Sequence, residues 1–211
     1  MIKVLVADDH AVVREGLKRI INETSDMTVS GEANNGQEVL NKVLAEDWDV
    51  VLLDISMPGR GGLEVLRQLR AERPKLPVLI LSMHSEDQYA VRVLKTGAAG
   101  YITKDSTPEK LVAAIRRVVR GRKYISPAVA EILAFDLEVD HKSDSLHAAL
   151  SDREYQVLCL MASGKTVSDI AEDLALSVKT ISTYRTRILE KLNLKNNAEL
   201  IRYAIKHELV E

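Results

Sequence analysis

The chain has 211 residues, of which 46% are apolar and 28% charged, and its formal net charge is −2. That length holds one large domain or two ordinary ones, and the near-neutral balance excludes a uniformly basic nucleic-acid binder while leaving local patches open. One cysteine, Cys159, excludes an intramolecular disulfide and fits a reducing cytosol. The opening MIKVLVADDH is too short and too acidic for a signal peptide. No apolar run approaches the roughly 18 residues that a membrane span needs, so a cytoplasmic protein is expected.

The first 120 residues alternate between two periods. Ile2 to Ala7, Thr28 to Ala33, Val50 to Leu53, Val78 to Leu81 and Gly100 to Thr103 are short apolar runs that read as strands. Val12, Val13, Gly16, Leu17, Ile20 and Ile21 recur at helical spacing after the first of them. Gln37 to Glu46, Leu63 to Glu72, Asp87 to Lys95 and Pro108 to Arg120 read as further helices, the last starting at a proline two residues after Ser106. Five strands alternating with five helices predict an α/β fold: a doubly wound, flavodoxin-like parallel sheet covered on both faces. Trp48 is most simply a packing residue, and Cys159, on an apolar helix face, a buried inert thiol.

Composition shifts near Gly121, and the spacing predicts a domain over 1–121, a linker over 122–147 with a short helix from Pro127 to Phe135, and a second, smaller all-α domain over 148–211. The tail reads as four helices, at about 151–162, 167–174, 178–191 and 196–206. Ser151 and Glu154 make a capping box for the first, and Ser177 offers a cap to the third.

In open parallel sheets, chemistry gathers outside the carboxyl ends of the strands. There the first strand ends in Asp8-Asp9, the third in Asp54, the fourth in Ser82 and the fifth near Lys104. A single Asp at a strand end is usually a cap, but the whole conjunction is far rarer. Three close carboxylates without a cation raise one another's pKa. Oxygen-only ligands suit a hard divalent ion such as Mg²⁺, which shares phosphate oxygens, and an Asp carboxylate can serve as a nucleophile that forms an aspartyl-phosphate. His10 and His84 flank this pocket, where a cap or rim role outweighs metal ligation.

As a set, these residues resemble the two-component response regulators over residues 1 to about 120. The resemblance implies that Asp54 accepts a phosphoryl group from a sensor histidine kinase. It also implies that Asp9, Asp54 and the Ser56 carbonyl bind Mg²⁺ directly and Asp8 through water. Lys104 would pair with phosphoryl oxygens, Ser82 would hydrogen-bond the group after transfer, and Tyr101 would be the switch aromatic. Many relatives carry a proline after the lysine; Asp105 stands here.

In the tail, Val167, Ile170, Ala171 and Leu174 form one apolar face and Val178, Ile181, Ile188 and Leu192 another, joined by the short Leu176-Ser177 connection. Two short helices so joined suggest a helix-turn-helix. From Ser177 to Lys195 five bases face one acid, +4 in a domain that is −4 outside this stretch and neutral as a whole. Bases and hydroxyls off the apolar stripe suit phosphate oxygens and base edges. The segment is similar to the LuxR-type DNA-binding domain of the NarL/FixJ class, with Leu150 to Glu154 as its opening motif and Val178 to Lys191 as its recognition helix. The implied DNA contacts are Lys179, Thr180, Ser182, Thr183, Tyr184, Arg185, Arg187 and Lys191, with tyrosine at 184 where many relatives have histidine. The last helix, Ala198 to Lys206, would supply a dimer surface.

The expected function is a phosphorylation-controlled, DNA-binding transcription regulator: double-stranded promoter DNA, a histidine kinase and a second copy as partners, Mg²⁺ as cofactor, and no enzymatic turnover beyond slow autodephosphorylation. The alternatives are a small phosphatase of the aspartyl-phosphate type, which leaves the tail unexplained, and a regulator that binds DNA without phosphorylation. The basic run Arg116 to Lys123 reads by default as a solvated helix end.

Overall fold

The computed structural model describes residues 1–83, 86–138, 146–207 and 209–210. His84 lies outside them, as do residues 139–145 of the expected linker. The chain divides into two units, Met1–Leu133 and Ala134–Glu211.

The first unit is the doubly wound sheet. Its elements are β1 (Ile2–Ala7), α1 (Ala11–Asn22), β2 (Met27–Ala33), α2 (Gly36–Ala45), β3 (Val50–Asp54), α3 (Gly62–Glu72), β4 (Val78–Ser82), α4 (Glu86–Lys95), β5 (Gly100–Thr103) and α5 (Pro108–Val119). All pairings are parallel, in the order β2-β1-β3-β4-β5. Every residue of β3 and β4 is buried, as central strands covered on both faces require. Val4, Val6, Leu52, Leu79, Leu81 and Ile102 share a core with Ile115 and Val118 of α5 and Ile21 of α1. Residues of opposite parity, such as Leu5, Leu53, Ile80 and Tyr101, are equally buried.

The strand order reverses between β1 and β3, which opens a crevice beyond their carboxyl ends. Register sets what meets there: Ala7 pairs with Leu53 and Asp54 with Leu81, so Asp8 follows β1 level with the last residue of β3. At the opposite end, Trp48 packs as expected. Its indole donates to the Lys42 carbonyl at 3.1 Å, and its ring fills the space beside Gly31, where a Cβ would stand 2.4 Å away.

The segment beyond residue 121 returns to the sheet. The Tyr124 amide donates to the Ala99 carbonyl at 2.9 Å, and Tyr124 bridges to Gly100. The division at Leu133 therefore falls later than the composition shift at Gly121, because this return is a backbone pairing that composition does not register. The helix expected from Pro127 forms as α6 (Pro127–Glu138), longer than predicted. α5 is capped at Thr107 without a side-chain bond, and Pro108 opens it.

In the second unit a 3-10 turn over Leu146–Ala149 precedes α7 (Asp152–Ala162), α8 (Val167–Asp173), α9 (Val178–Lys191) and α10 (Asn197–Lys206). The Ser151–Glu154 capping box is present, and Thr166 with Asp169 makes a second one for α8. Ser177 caps α9 through the Thr180 amide at 3.0 Å. Left-handed residues follow α7, α8 and α9: Gly164 (φ 87), Ala175 (φ 50) and Asn193 (φ 54). Each turn is closed by a returning amide, as from Leu176 to the Ala171 carbonyl at 2.8 Å. Cys159 is buried, as expected.

Candidate functional site

β1 and β3 end side by side, so Asp8 and Asp54 project into the crevice at 0% and 1% exposure. β5 delivers the third charge: the Lys104 amide donates to the Ser82 carbonyl at 2.8 Å, extending the β4–β5 ladder by one residue. Lys104 Nζ then lies 2.7 Å from Asp8 Oδ2 and 2.9 Å from Asp54 Oδ2. Both oxygens, and Asp9 Oδ1, are buried without an aligned hydrogen bond. The ammonium neutralises the two acids as an ion pair and leaves coordinating lone pairs uncommitted.

Burial pushes the Asp54 carboxyl above its ordinary range; the Lys104 charge opposes this and the Asp8 charge adds to it. Burial acts to lower the Lys104 ammonium, but the Asp54 and Asp8 carboxylates outweigh it and hold it above its ordinary value.

The loops that follow fix these acids. The His10 amide donates to Asp8 Oδ1 at 2.9 Å and the Ser56 amide to Asp54 Oδ1 at 3.2 Å, each two residues beyond its acid. His10 stands at the cap position of α1, exposed, with Nδ1 3.0 Å from Asp9 Oδ1. Candidate ligand atoms of Asp8, Asp9, His10 and Asp54 all lie within 4.8 Å of one another. The carboxylate oxygens among them match the donor set of a hard divalent cation; an imidazole does not. Ser82 is buried as the last residue of β4, paired with Thr103, and Tyr101 is buried within β5, paired with Ile80.

Two residues at this site carried no expectation. Arg14, on the first turns of α1, donates to the Asp8 backbone carbonyl at 2.8 Å and is braced by Glu32 at 3.3 Å. Its sequence signal is a base five residues after the acid pair, on the helix that the pair opens. Gly62 opens α3 directly against β3: a Cβ there would stand 2.2 Å from the Asp54 carbonyl oxygen and 2.8 Å from Ile55 Cα. The Gly61-Gly62 pair was its signal.

In the second unit, Lys179, Ser182, Thr183 and Arg187 are exposed along one side of α9, opposite the buried Ile181 and Ile188. Thr180 and Tyr184 are half-buried. The hydroxyls of Ser182 and Thr183 bond the carbonyls one turn back, at 2.9 Å each. Two of the expected contact residues have partners inside the unit. Arg185 Nε donates to Asn197 Oδ1 at 2.5 Å. Lys191 Nζ lies 2.6 Å from Glu154 Oε2, which is buried, and 3.3 Å from the Ala149 carbonyl. Burial acts to raise the Glu154 carboxyl, but the bonds from Lys191 and Ser151 hold it below its ordinary range.

Comparison with known proteins agrees with both halves. Residues 4–116 match the family described as response regulator receiver domain, and residues 148–204 the family described as bacterial regulatory proteins, luxR family. The response regulator GacA of Pseudomonas aeruginosa is 41% identical over 211 residues, covering 100% of this chain and 99% of the relative. The response regulator UvrY of Escherichia coli K12 is 39% identical over 209 residues, covering 99% and 96%. Among solved structures, RcsB from Salmonella enterica serovar Typhimurium bound to promoter rprA with the phosphomimetic BeF3⁻ aligns at 27% identity and TM-score 0.64, covering 96% of this chain and 98% of that one. An RcsB–DNA complex aligns at 28% identity and TM-score 0.59, covering 100% and 99%.

The chain belongs to the two-component response regulators of the NarL/FixJ class, which join a receiver domain to a LuxR-type helix-turn-helix. It is a transcription regulator of a two-component system. No helix among the described residues is long and apolar enough to cross a membrane.

Proposed function

We propose that Asp54 is the phosphoacceptor and that its phosphorylation by a sensor histidine kinase controls binding of promoter DNA by α9. The observation that carries this reading is the convergence of buried Asp8, Asp54 and Lys104 at the strand-order reversal. In the transfer, an Asp54 carboxylate oxygen forms a bond to phosphorus while the bond to the donor's imidazole nitrogen breaks. Lys104 moves from pairing two carboxylates to pairing the incoming phosphoryl oxygens, Ser82 donates its hydroxyl to the group, and Tyr101 follows.

Asp8, Asp9, Asp54 and the Ser56 carbonyl would hold Mg²⁺. The carboxylate oxygens of Asp8, Asp9 and Asp54, grouped within 4.8 Å of one another, fit such an ion, which when bound neutralises charge on the phosphoryl oxygens. The phosphoryl group adds about −1.5 to −2 of charge, and the receiver is the two-state element that this charge biases. The working division is a receiver over 1–121, a linker over 122–147 and a DNA-binding domain over 148–211. Lys179, Thr180, Ser182, Thr183, Tyr184 and Arg187 face phosphates and base edges. Arg185 and Lys191 reach DNA only by leaving the partners they hold here. The active form is a homodimer, the protein works in the cytoplasm, and it turns over no substrate beyond its own phosphoryl group.

Incubation of the full chain with acetyl phosphate and Mg²⁺ tests the centre of this reading. Intact mass should rise by one phosphoryl group in the parent chain and not in Asp54→Asn. A mass gain retained by Asp54→Asn would overturn the assignment.

A further inference from the structure

The basic run at the end of α5 takes no part in the phosphoacceptor site. Within it, Arg116 is neutralised by Asp26, to which it donates two bonds of 2.8 Å. Arg117, Arg120, Arg122 and Lys123 have no carboxylate partner among the described residues. Arg117 Nε donates to the Lys123 carbonyl at 2.7 Å, and Lys123 Nζ donates to the Ala98 carbonyl.

Another cation reaches the same corner from α3. The Arg70 guanidinium donates to the carbonyls of Arg73 and Leu76. Its stem lies 2.8 Å from where a Cβ on Gly97 would stand, one residue before Ala98. Its Nε is buried without a hydrogen-bond partner. Burial and the Arg70 charge together hold the Lys123 ammonium below its ordinary value. Among the described residues, the cations that crowd here have only backbone carbonyls to answer them, and an anion would relieve the repulsion. Arg120 and Arg122 flank Gly121 (φ 76), where the chain turns after the helix, and both are exposed.

Arg117, Arg120, Arg122 and Lys123 are all exposed. Cations spread over an outer surface suit an extended polyanion better than one small ion, and guanidinium forks match phosphate oxygens. The same chain carries α9, so a duplex held there raises the local concentration of phosphate around any second basic surface tethered to it. We infer that Arg117, Arg120, Arg122 and Lys123 form an accessory contact for the phosphate backbone of duplex DNA, an inference that rests on the DNA-binding reading of α9.

The test uses the full chain and a fluorescent duplex of arbitrary sequence, with affinity measured by anisotropy over a salt series. In the parent, log affinity falls linearly with log salt. In Arg120→Gln/Arg122→Gln the slope should become shallower by about 1.8, at about 0.9 for each phosphate released. Arg120→Lys/Arg122→Lys keeps both charges and should keep the slope. A parent-like slope in the glutamine variant, beside a reduced slope in Arg187→Ala, overturns the accessory contact and leaves the reading of α9 intact. An equal loss in the lysine variant also overturns it, because the effect then does not follow charge. If the parent chain binds no duplex, the reading of α9 itself fails and this inference falls with it.

Discussion

In Met1–Leu133 the charges proposed to act are buried at strand ends, whereas in Ala134–Glu211 those proposed to hold DNA stand on the outer side of a helix. Lys104 is within ion-pair reach of both Asp8 and Asp54, and all three side chains are nearly closed to solvent. Lys179 and Arg187 are exposed, with water as their alternative partner. A buried charge is costly unless its partner is placed correctly, so the first set works as a unit and fails as one. Exposed charges are screened by salt and act in near-independent increments. The first arrangement suits a single chemical event, the second a graded hold on a polyanion.

The contrast is tested most severely at Asp54, where the neutral isostere should abolish phosphoryl uptake outright, as the mass measurement above reads. Next comes the backbone beneath it. Gly62→Ala places a Cβ against two backbone groups that cannot rotate away, so it should lower stability by about 3 kcal/mol and slow phosphorylation together. Chemical denaturation and the rate of mass gain read these two effects, and loss of neither would show that α3 can move off β3 freely.

The second unit contains its own exception, a buried charge. Glu154→Ala strips the capping box and releases Lys191 to solvent, and should cost about 1 kcal/mol, read as faster amide exchange along α7. Because the Glu154 pKa is depressed, its contribution is present above the ordinary value of 4.5 and is lost as pH falls through the lower folded value. Protection of α7 in the parent should fall across that acid range, and in Glu154→Gln this component should be missing. The smallest effect belongs to the exposed face. Arg187→Ala should make the salt slope of duplex binding shallower by about 1, and a drop confined to one DNA sequence would show instead that Arg187 reads a base.

Most element ends were legible to within a residue or so, because period and punctuation agree: the runs that read as Val50 to Leu53 and Val78 to Leu81 extend by one residue each, to Asp54 and Ser82. The acid pocket was legible because topology alone brings strand ends together. Less legible was what each group does when it arrives. Spacing cannot reveal that Lys104 bridges Asp8 and Asp54, that Arg14 reaches back to the Asp8 carbonyl, or that Lys191 turns inward to Glu154, 37 residues earlier. These depend on side-chain direction across packed elements. The hydroxyls of Ser182 and Thr183 read as free donors in the sequence, yet the helix offers them its own carbonyls. The return of Tyr124 to β5 is a single bridge, too short to leave a periodic trace.

Ala175 closes α8 with φ 50, a conformation that most helices give to glycine. An L-residue held there carries about 1–2 kcal/mol of steric cost. Glycine would remove that cost, but it would also widen the conformational freedom of the unfolded chain by about 0.4–1 kcal/mol. The steric term is the larger, so Ala175→Gly should stabilise the unit by up to about 1 kcal/mol. The bend between α8 and α9 is therefore a spot where the native alanine holds stability back, and any β-branched replacement would lower it further.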